Sequence, residues 1–278
     1  MGEFDASWLA LREPLDRAAR HPGLLRRAAA LVRRRPGAVV ADLGCGAGSN
    51  GRALSPWFGR GQRWRLIDHD PDLLAEALRN PPAGGRVEAV HADLAPVEAL
   101  PLEDVCLVTA SALFDLASEA WLRRLAAVLA ERRLPLYATL TYDGRIAWSP
   151  AHPLDEAMRA ALNAHQGTDK GFGPALGPAA AARLPALLAA CGFAVMRAPS
   201  PWNAGPAHAA LQRSVADTQA AAALDLDAAP HAAVTEWRAF RHAAAVTGGL
   251  VLGHADVLAV PGVGPIRPRR RAQPAAVP

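Results

Sequence analysis

Residues 38–51 read AVVADLGCGAGSNG, and their glycines can be counted in two registers. From Gly46, Gly48 and Gly51 they spell G-x-G-x-x-G, the loop that cradles a dinucleotide pyrophosphate. From Asp42 through Gly44, Gly46 and Gly48 they spell D-x-G-x-G-x-G. In both registers the apolar run 38–43 has the length and β-branched content of a buried strand, which the glycines end. Such a loop turns tightly, admits a ligand to the backbone, and aims helix N-terminal amides at negative charge. The stretch therefore predicts a cofactor at residues 42–51 in either register.

The pattern repeats outward from there. Strands are expected over 64–68, 87–91, 105–110 and 136–141, and helices over 49–58, 72–79 and 118–132. Pro71 sits at a helix start, where Asp70 is placed to cap, and Ser118 with an early Glu119 opens another helix. Strand and helix in alternation specify βαβ units and a parallel sheet covered on both faces, with right-handed crossovers. Before this unit, Trp8, Leu11, Leu15, Leu24, Leu25 and Leu31 recur at helical spacing, and Pro22-Gly23 divides the stretch into two helices. After residue 150 a helix is expected over 153–165, then the glycine-rich HQGTDKGFGPALG (165–177) and a helix over 178–191 that Gly192 ends. A sixth strand at 193–197, alanine-rich helices over 206–247 and a last strand at 255–260 complete the expected elements. The domain expectation is an N-terminal helical cap (1–36), one α/β domain (37–262) with helical insertions at about 150–176 and 206–250, and a disordered basic tail (263–278).

Composition narrows the function classes. Of 278 residues, 51% are hydrophobic, enough for a full core. Formal net charge is only +4, with part of the basic character local in Arg33-Arg34-Arg35 and the tail Arg267–Arg271, so composition argues against a nucleic-acid partner. Cys45, Cys106 and Cys191 form no C-x-x-C pair, which argues against a zinc site or a disulfide framework and fits a reducing compartment. No metal site is expected. The N-terminus carries acids and lacks an apolar h-region, and no run approaches the roughly 20 apolar residues that span a bilayer. The expectation is a cytoplasmic protein away from membranes, monomeric or homodimeric.

The flanking residues decide between the registers. Asp42-Leu43-Gly44-Cys45-Gly46-Ala47-Gly48 resembles the first motif of the class I S-adenosylmethionine-dependent methyltransferases, whose strand-end acid belongs to the motif. The second strand ends in RLIDHDP, placing Asp68 where that family's acid accepts both ribose hydroxyls. HADL places Asp93 and Leu94 at its adenine contacts, and TASALFDL places Ser111 beneath the methionine portion. The resemblance covers 38–142 strongly, and 178–198 and 255–260 loosely. It implies a Rossmann-like, doubly wound, mostly parallel seven-stranded α/β sheet, the last strand antiparallel between the fifth and sixth. It further implies the cofactor S-adenosyl-L-methionine, held by Asp42, Gly44, Gly46, Gly48, Ser49, Asn50, Asp68, His69, Asp93, Leu94 and Ser111. Ser49 and Asn50 also suit helix capping. Between the sixth and seventh strands the chain departs from the family's short hairpin.

The expected activity is methyl transfer to N, O or C of a small molecule. Substrate groups are expected from the N-terminal helices, the segment after the fifth strand and the inserted loop. TYDGRIAW offers Tyr142 and Arg145 for binding and Asp143 as a base, while HQGTDKGFG offers Lys170 for binding and His165 or Asp169 as bases. An imidazole titrates near neutrality, which favours His165. Asp115 suits a helix start or the substrate equally, and Trp148 and Trp202 suit the core or a substrate wall. Competing readings are an RNA or protein methyltransferase using the basic ends, an NAD-dependent oxidoreductase in the other register, and a noncatalytic cofactor-binding protein.

Overall fold

The computed structural model describes residues 6–169 and 171–262. Lys170 and the segment 263–278 lie outside the described residues. Helices α1 (Ala6–Ala19) and α2 (Pro22–Arg33) precede strand β1 (Val39–Leu43). Then α3 (Ser49–Phe58), β2 (Arg63–Asp68), α4 (Pro71–Arg79), β3 (Arg86–His91), β4 (Val105–Ser111), α5 (Glu119–Glu131) and β5 (Leu136–Ser149) alternate as the sequence pattern requires. Local chemistry sets the boundaries. Asp70 accepts from the amides of Asp72 and Leu73 at 2.8 and 3.1 Å, with Pro71 opening α4. Ser118 accepts from the Trp121 amide at 3.2 Å at the start of α5.

The second half comprises α6 (Asp155–Gln166), α7 (Ala180–Ala190), β6 (Phe193–Pro199), β7 (Trp202–Ala204), α8 (Ala209–Asp225), α9 (His231–Ala244) and β8 (Gly249–Pro261). The sheet runs β3-β2-β1-β4-β5-β8-β6, with β8 antiparallel to both β5 and β6. The last strand therefore lies between the fifth and sixth, as expected. The sheet differs from the expected seven strands by an eighth, β7, which pairs with β8. The fifth and last strands also outrun their expected lengths. Residues 142–149 and 249–254 pair as an antiparallel ribbon beyond the sheet. Tyr142, Asp143 and Arg145 are therefore strand residues and not part of a loop.

Three apolar cores result among the described residues. One packs β1, β4, β5 and β8 against α5 and α7 through Leu43, Val108, Leu122, Leu136, Leu184 and Val257. On the opposite face Val40, Trp64, Leu66, Leu107 and Tyr137 meet α2, α3 and α4. A third joins the ribbon and β7 to α1, α6, α8 and α9 through Leu15, Trp148, Trp202, Val215 and Trp237. The second N-terminal helix is thus a layer of the main sandwich, and only the first belongs to the outer core. No helix of the described residues is long and apolar enough to cross a membrane.

Arg241 pins the third core. Its side chain is 1% exposed, its Nη1 donates to the Pro150 carbonyl at 2.7 Å, and its Nη2 pairs with Asp155. The guanidinium lies 5.1 Å from the Trp148 ring, 5.7 Å from Trp237 and 5.1 Å from Phe240. Trp237 Nε1 donates to the same Asp155 oxygen at 2.8 Å. Removing one member of a buried, hydrogen-bonded ion pair strands the other. Arg241→Ala should lower unfolding free energy in urea by about 3 kcal/mol. A change within error would contradict this role.

Candidate active site

The strand order reverses between β1 and β4, so the loops that follow these strands flank a crevice. Gly44, Gly46 and Gly48 all take left-handed φ, at 60°, 51° and 81°. The two loops meet closely, since a Cβ at Gly44 would lie 3.1 Å from Leu113 Cδ1. The α1 helix roofs them, and a Cβ at Gly46 would lie 3.3 Å from Leu9 Cδ1. A side chain at either glycine would meet both a backbone penalty and a neighbour. Gly48 occupies the N-cap of α3 and offers no capping side chain to its amides.

Asp68 closes this loop from the end of β2. Its Oδ2 accepts from the Gly46 amide at 2.7 Å and its Oδ1 from the Asp70 amide at 3.1 Å. His69 Nδ1 stands 3.2 Å from Oδ1, with its ring largely exposed. Asp93 is exposed and accepts from the Ala95 amide at 2.8 Å. Leu94 is buried, and its carbonyl accepts from Trp121 Nε1 at 2.8 Å. Ser111 ends β4 half-buried, across the crevice from the glycines.

Asp42 and Asn50 point beneath the loop instead of into the crevice. Asp42 is fully buried, and its Oδ1 accepts from Asn50 Nδ2 at 2.7 Å and Thr109 Oγ1 at 2.8 Å. Asn50 Oδ1 in turn accepts from Arg20 Nη2 at 2.9 Å. Asn50 and one oxygen of Asp42 are thus spent within this network, while Asp42 Oδ2 has no partner among the described residues. Ser49 opens α3 half-buried.

The helical roof is fastened by charge. Glu13 receives Arg52 Nε and Nη2 at 2.9 and 2.6 Å, and Arg52 Nη1 reaches the Ala47 carbonyl at 2.6 Å. One turn on, Arg12 grips Asp16 at 2.9 and 3.3 Å, and Trp202 Nε1 donates to Asp16 at 2.9 Å. The Arg12 guanidinium lies 5.0 Å from the Trp202 ring and 6.0 Å from Trp8. Trp202 packs on His254 at 5.1 Å, and His254 on Tyr142 at 6.3 Å. His254 is buried, and burial followed by the Arg12 charge pushes its imidazole down to about 3. Asp115, also buried, is raised to about 6 by burial, against its own amide, Arg12 and the Tyr142 amide.

The structure separates the remaining expected residues. Tyr142 joins the cluster just described and donates its hydroxyl to Asn163 at 2.7 Å. Asp143 is tied to Arg145 Nε and Nη2 at 2.9 and 2.6 Å, and both flank Gly253 on the ribbon face opposite His254. An open groove of about 460 Å³ along this ribbon is lined by Asp143, Arg145, Arg197, Ala198, Pro199 and His254, so it borders the His254 cluster and includes none of the glycine loop. His165 turns to Asp225 on α8 at 3.7 Å. Asp169 accepts from the Gly171 amide at 2.7 Å within its own loop. Trp148 lies in the core with its Nε1 on Gln219 at 2.9 Å, and Trp202 is both buried and part of the polar cluster.

Arg12, Glu13, Asp16, Arg20, Thr109 and His254 escaped the sequence reading. Residues 8, 12 and 16 stack on one face of α1, and that polar face is turned inward. Burial raises the Asp42 carboxyl to about 6, while Asn50, Thr109 and Arg20 pull it down. The folded chain therefore holds a proton on Asp42 that the unfolded chain has released, and stability falls as pH rises from about 4 to 6. Asp42→Asn should gain on the native chain across that window by about 1–3 kcal/mol in urea unfolding. A pH-independent difference would contradict this. Asp115 titrates in both chains and cancels.

Residues 40–132, which span β1 to α5, match the family described as a methyltransferase domain. No curated protein matches the chain. A cyclopropane-fatty-acyl-phospholipid synthase-like protein from Lactobacillus casei ATCC 334 shares the fold with a TM-score of 0.50 at 14% identity, over 89% of this chain and 98% of that one. The cyclopropane synthase MmaA2 from Mycobacterium tuberculosis gives 0.46 at 12% identity, over 84% and 82%. A methyltransferase from Geobacter sulfurreducens, solved with S-adenosyl-L-homocysteine, gives 0.41 at 17%, over 86% and 91%. At these identities the likeness concerns the fold. Over residues 40–132 the chain is therefore similar to a methyltransferase domain, and its whole described fold is similar to that of the Lactobacillus casei protein.

Proposed function

We propose that the chain transfers the methyl group of S-adenosyl-L-methionine to a small molecule that reaches the donor beneath α1. One observation carries this reading: the glycine loop, backed by Asp68, meets the post-β4 loop where strand order reverses. The residues present fit the donor. Three left-handed glycines keep side chains out of the loop, and each Asp68 oxygen retains lone-pair capacity beyond the amide it binds. Asp68 would hold the ribose hydroxyls, Asp93 and Leu94 the adenine, and the Gly44–Gly48 backbone with Ser111 the amino-acid end. When bound, the donor supplies a methyl group on cationic sulfur, which leaves as a neutral thioether without acid assistance.

The chain's own work is then positioning and exclusion of water. Leu9 covers the loop, and the Glu13–Arg52 pair holds that cover in place. A proton acceptor is needed only where the acceptor atom must shed a proton. Asp115 and Tyr142 sit under the same helix through Arg12, whereas His165 and Asp169 are engaged elsewhere.

Asp68→Ala should weaken S-adenosyl-L-homocysteine binding by about 1–3 kcal/mol, roughly tenfold to a hundredfold, by titration calorimetry. Unchanged affinity would overturn the assignment.

A further inference from the structure

The buried polar atoms without a hydrogen-bond partner among the described residues include Asp115 Oδ1 and His254 Nδ1 beneath α1. Both belong to the cluster around Arg12. Asp115 neighbours the Tyr142 amide, Tyr142 pairs with His254 across β5 and β8, and His254 packs on Trp202. Asp115 lies four residues past Ser111, on the loop that meets Gly44 through Leu113. The cluster and the glycine loop therefore share one roof, with Leu9 over the loop and Trp8, Arg12 and Asp16 over the cluster.

Its charge is unbalanced. Arg12 and Asp16 form a two-pronged ion pair that is neutral as a unit. His254 is held neutral by burial and by the adjacent guanidinium. That leaves one carboxylate, Asp115, without a cation of its own in a buried site. Tyr142 lies close to it, and Arg12, whose charge reaches it, stands against the faces of Trp8 and Trp202.

We propose that this cluster is the acceptor subsite and that it takes a small aromatic or apolar amine, whose nitrogen is held by Asp115 Oδ1. The inference rests on the proposed methyl-transfer function and names its substrate class. The amine enters as an ammonium, which balances the lone carboxylate while the rings surround its apolar part. Its N–H bond breaks as an O–H bond forms on Asp115, and the electron pair stays on nitrogen, which becomes nucleophilic. Burial that raises the Asp115 carboxyl makes this proton uptake easier. His254 Nδ1 offers a second acceptor for a remaining N–H.

The test uses the full chain saturated with S-adenosyl-L-homocysteine and three probes of one shape: benzylamine, benzyl alcohol and benzoate. Calorimetry should show benzylamine binding at least about tenfold more tightly than either other probe, an advantage that Asp115→Asn removes while S-adenosyl-L-homocysteine affinity stays unchanged. Tightest binding of benzoate would make Arg12 the anchor and overturn the proposal. Equal binding of the three, no binding of any, or an amine preference that survives in Asp115→Asn would also overturn it. If Asp115→Asn fails to fold, the ranking of the three probes on the native chain decides. Failure of the native chain to bind S-adenosyl-L-homocysteine would instead remove the donor reading beneath it.

Discussion

One buried carboxylate ties the donor side of this molecule together. Asp42 ends β1 and receives Thr109 from β4 and Asn50 from α3, and Asn50 receives Arg20 from the chain just after α1. Four elements thus converge on a group that water cannot reach. Desolvation makes that arrangement costly, and the two donors on Oδ1 offset only part of it, because Oδ2 has no partner among the described residues. The consequence is positional: the strand end, the first turn of α3 and the end of β4 are held in fixed relation, and the glycine loop is stretched between them.

A second constraint shapes the acceptor side. Leu140 takes a left-handed φ of 56°, and the β5–β8 register shifts between Ala138 and Thr141. Asp256, fully buried on β8, accepts from the Leu140 amide at 3.0 Å and from the His21 amide at 2.8 Å. A strained residue of this kind persists only where its surroundings over-determine it. Beyond the bulge, β5 and β8 continue as the ribbon that carries Tyr142 and His254. The same carboxylate fixes the start of α2, so the bulge and the N-terminal segment are set by one group.

The roof links the two sides. In α1, Leu9 and Glu13 address the glycine loop and α3, while Trp8, Arg12 and Asp16 address Trp202 and His254. A helix whose inward face carries arginine, glutamate and aspartate would be poorly suited to a purely apolar core. Here each charge has a partner, so the face seals the site and remains polar.

The sheet's first half was legible in the sequence because its signals are local. Short apolar runs, Asp70 with Pro71, Ser118 with Glu119 and the glycine triplet each act within a few residues, and the strand order is what the family resemblance implies. Asp68 was legible for the same reason, being an acid at a strand end beside a glycine loop. Local pattern did not disclose that Asp42 and Asn50 turn inward, because their partners Thr109 and Arg20 lie 67 and 30 residues away along the chain. Nor did it disclose β7 or the long β5–β8 ribbon, since a strand that gains its partner from a distant segment carries little signal of its own. The cluster of Arg12, Asp115, Tyr142, Trp202 and His254 is the extreme case. The sequence singled out Asp115, Tyr142 and Trp202 separately, but they join Arg12 and His254 only when the antiparallel last strand enters between β5 and β6 and α1 folds across it. Sequence alone thus settled the strand-end loop that suits a nucleoside-bearing donor, through short-range backbone and capping preferences. Tertiary structure alone decided what faces it, because burial and charge pairing there depend on contacts between segments remote along the chain.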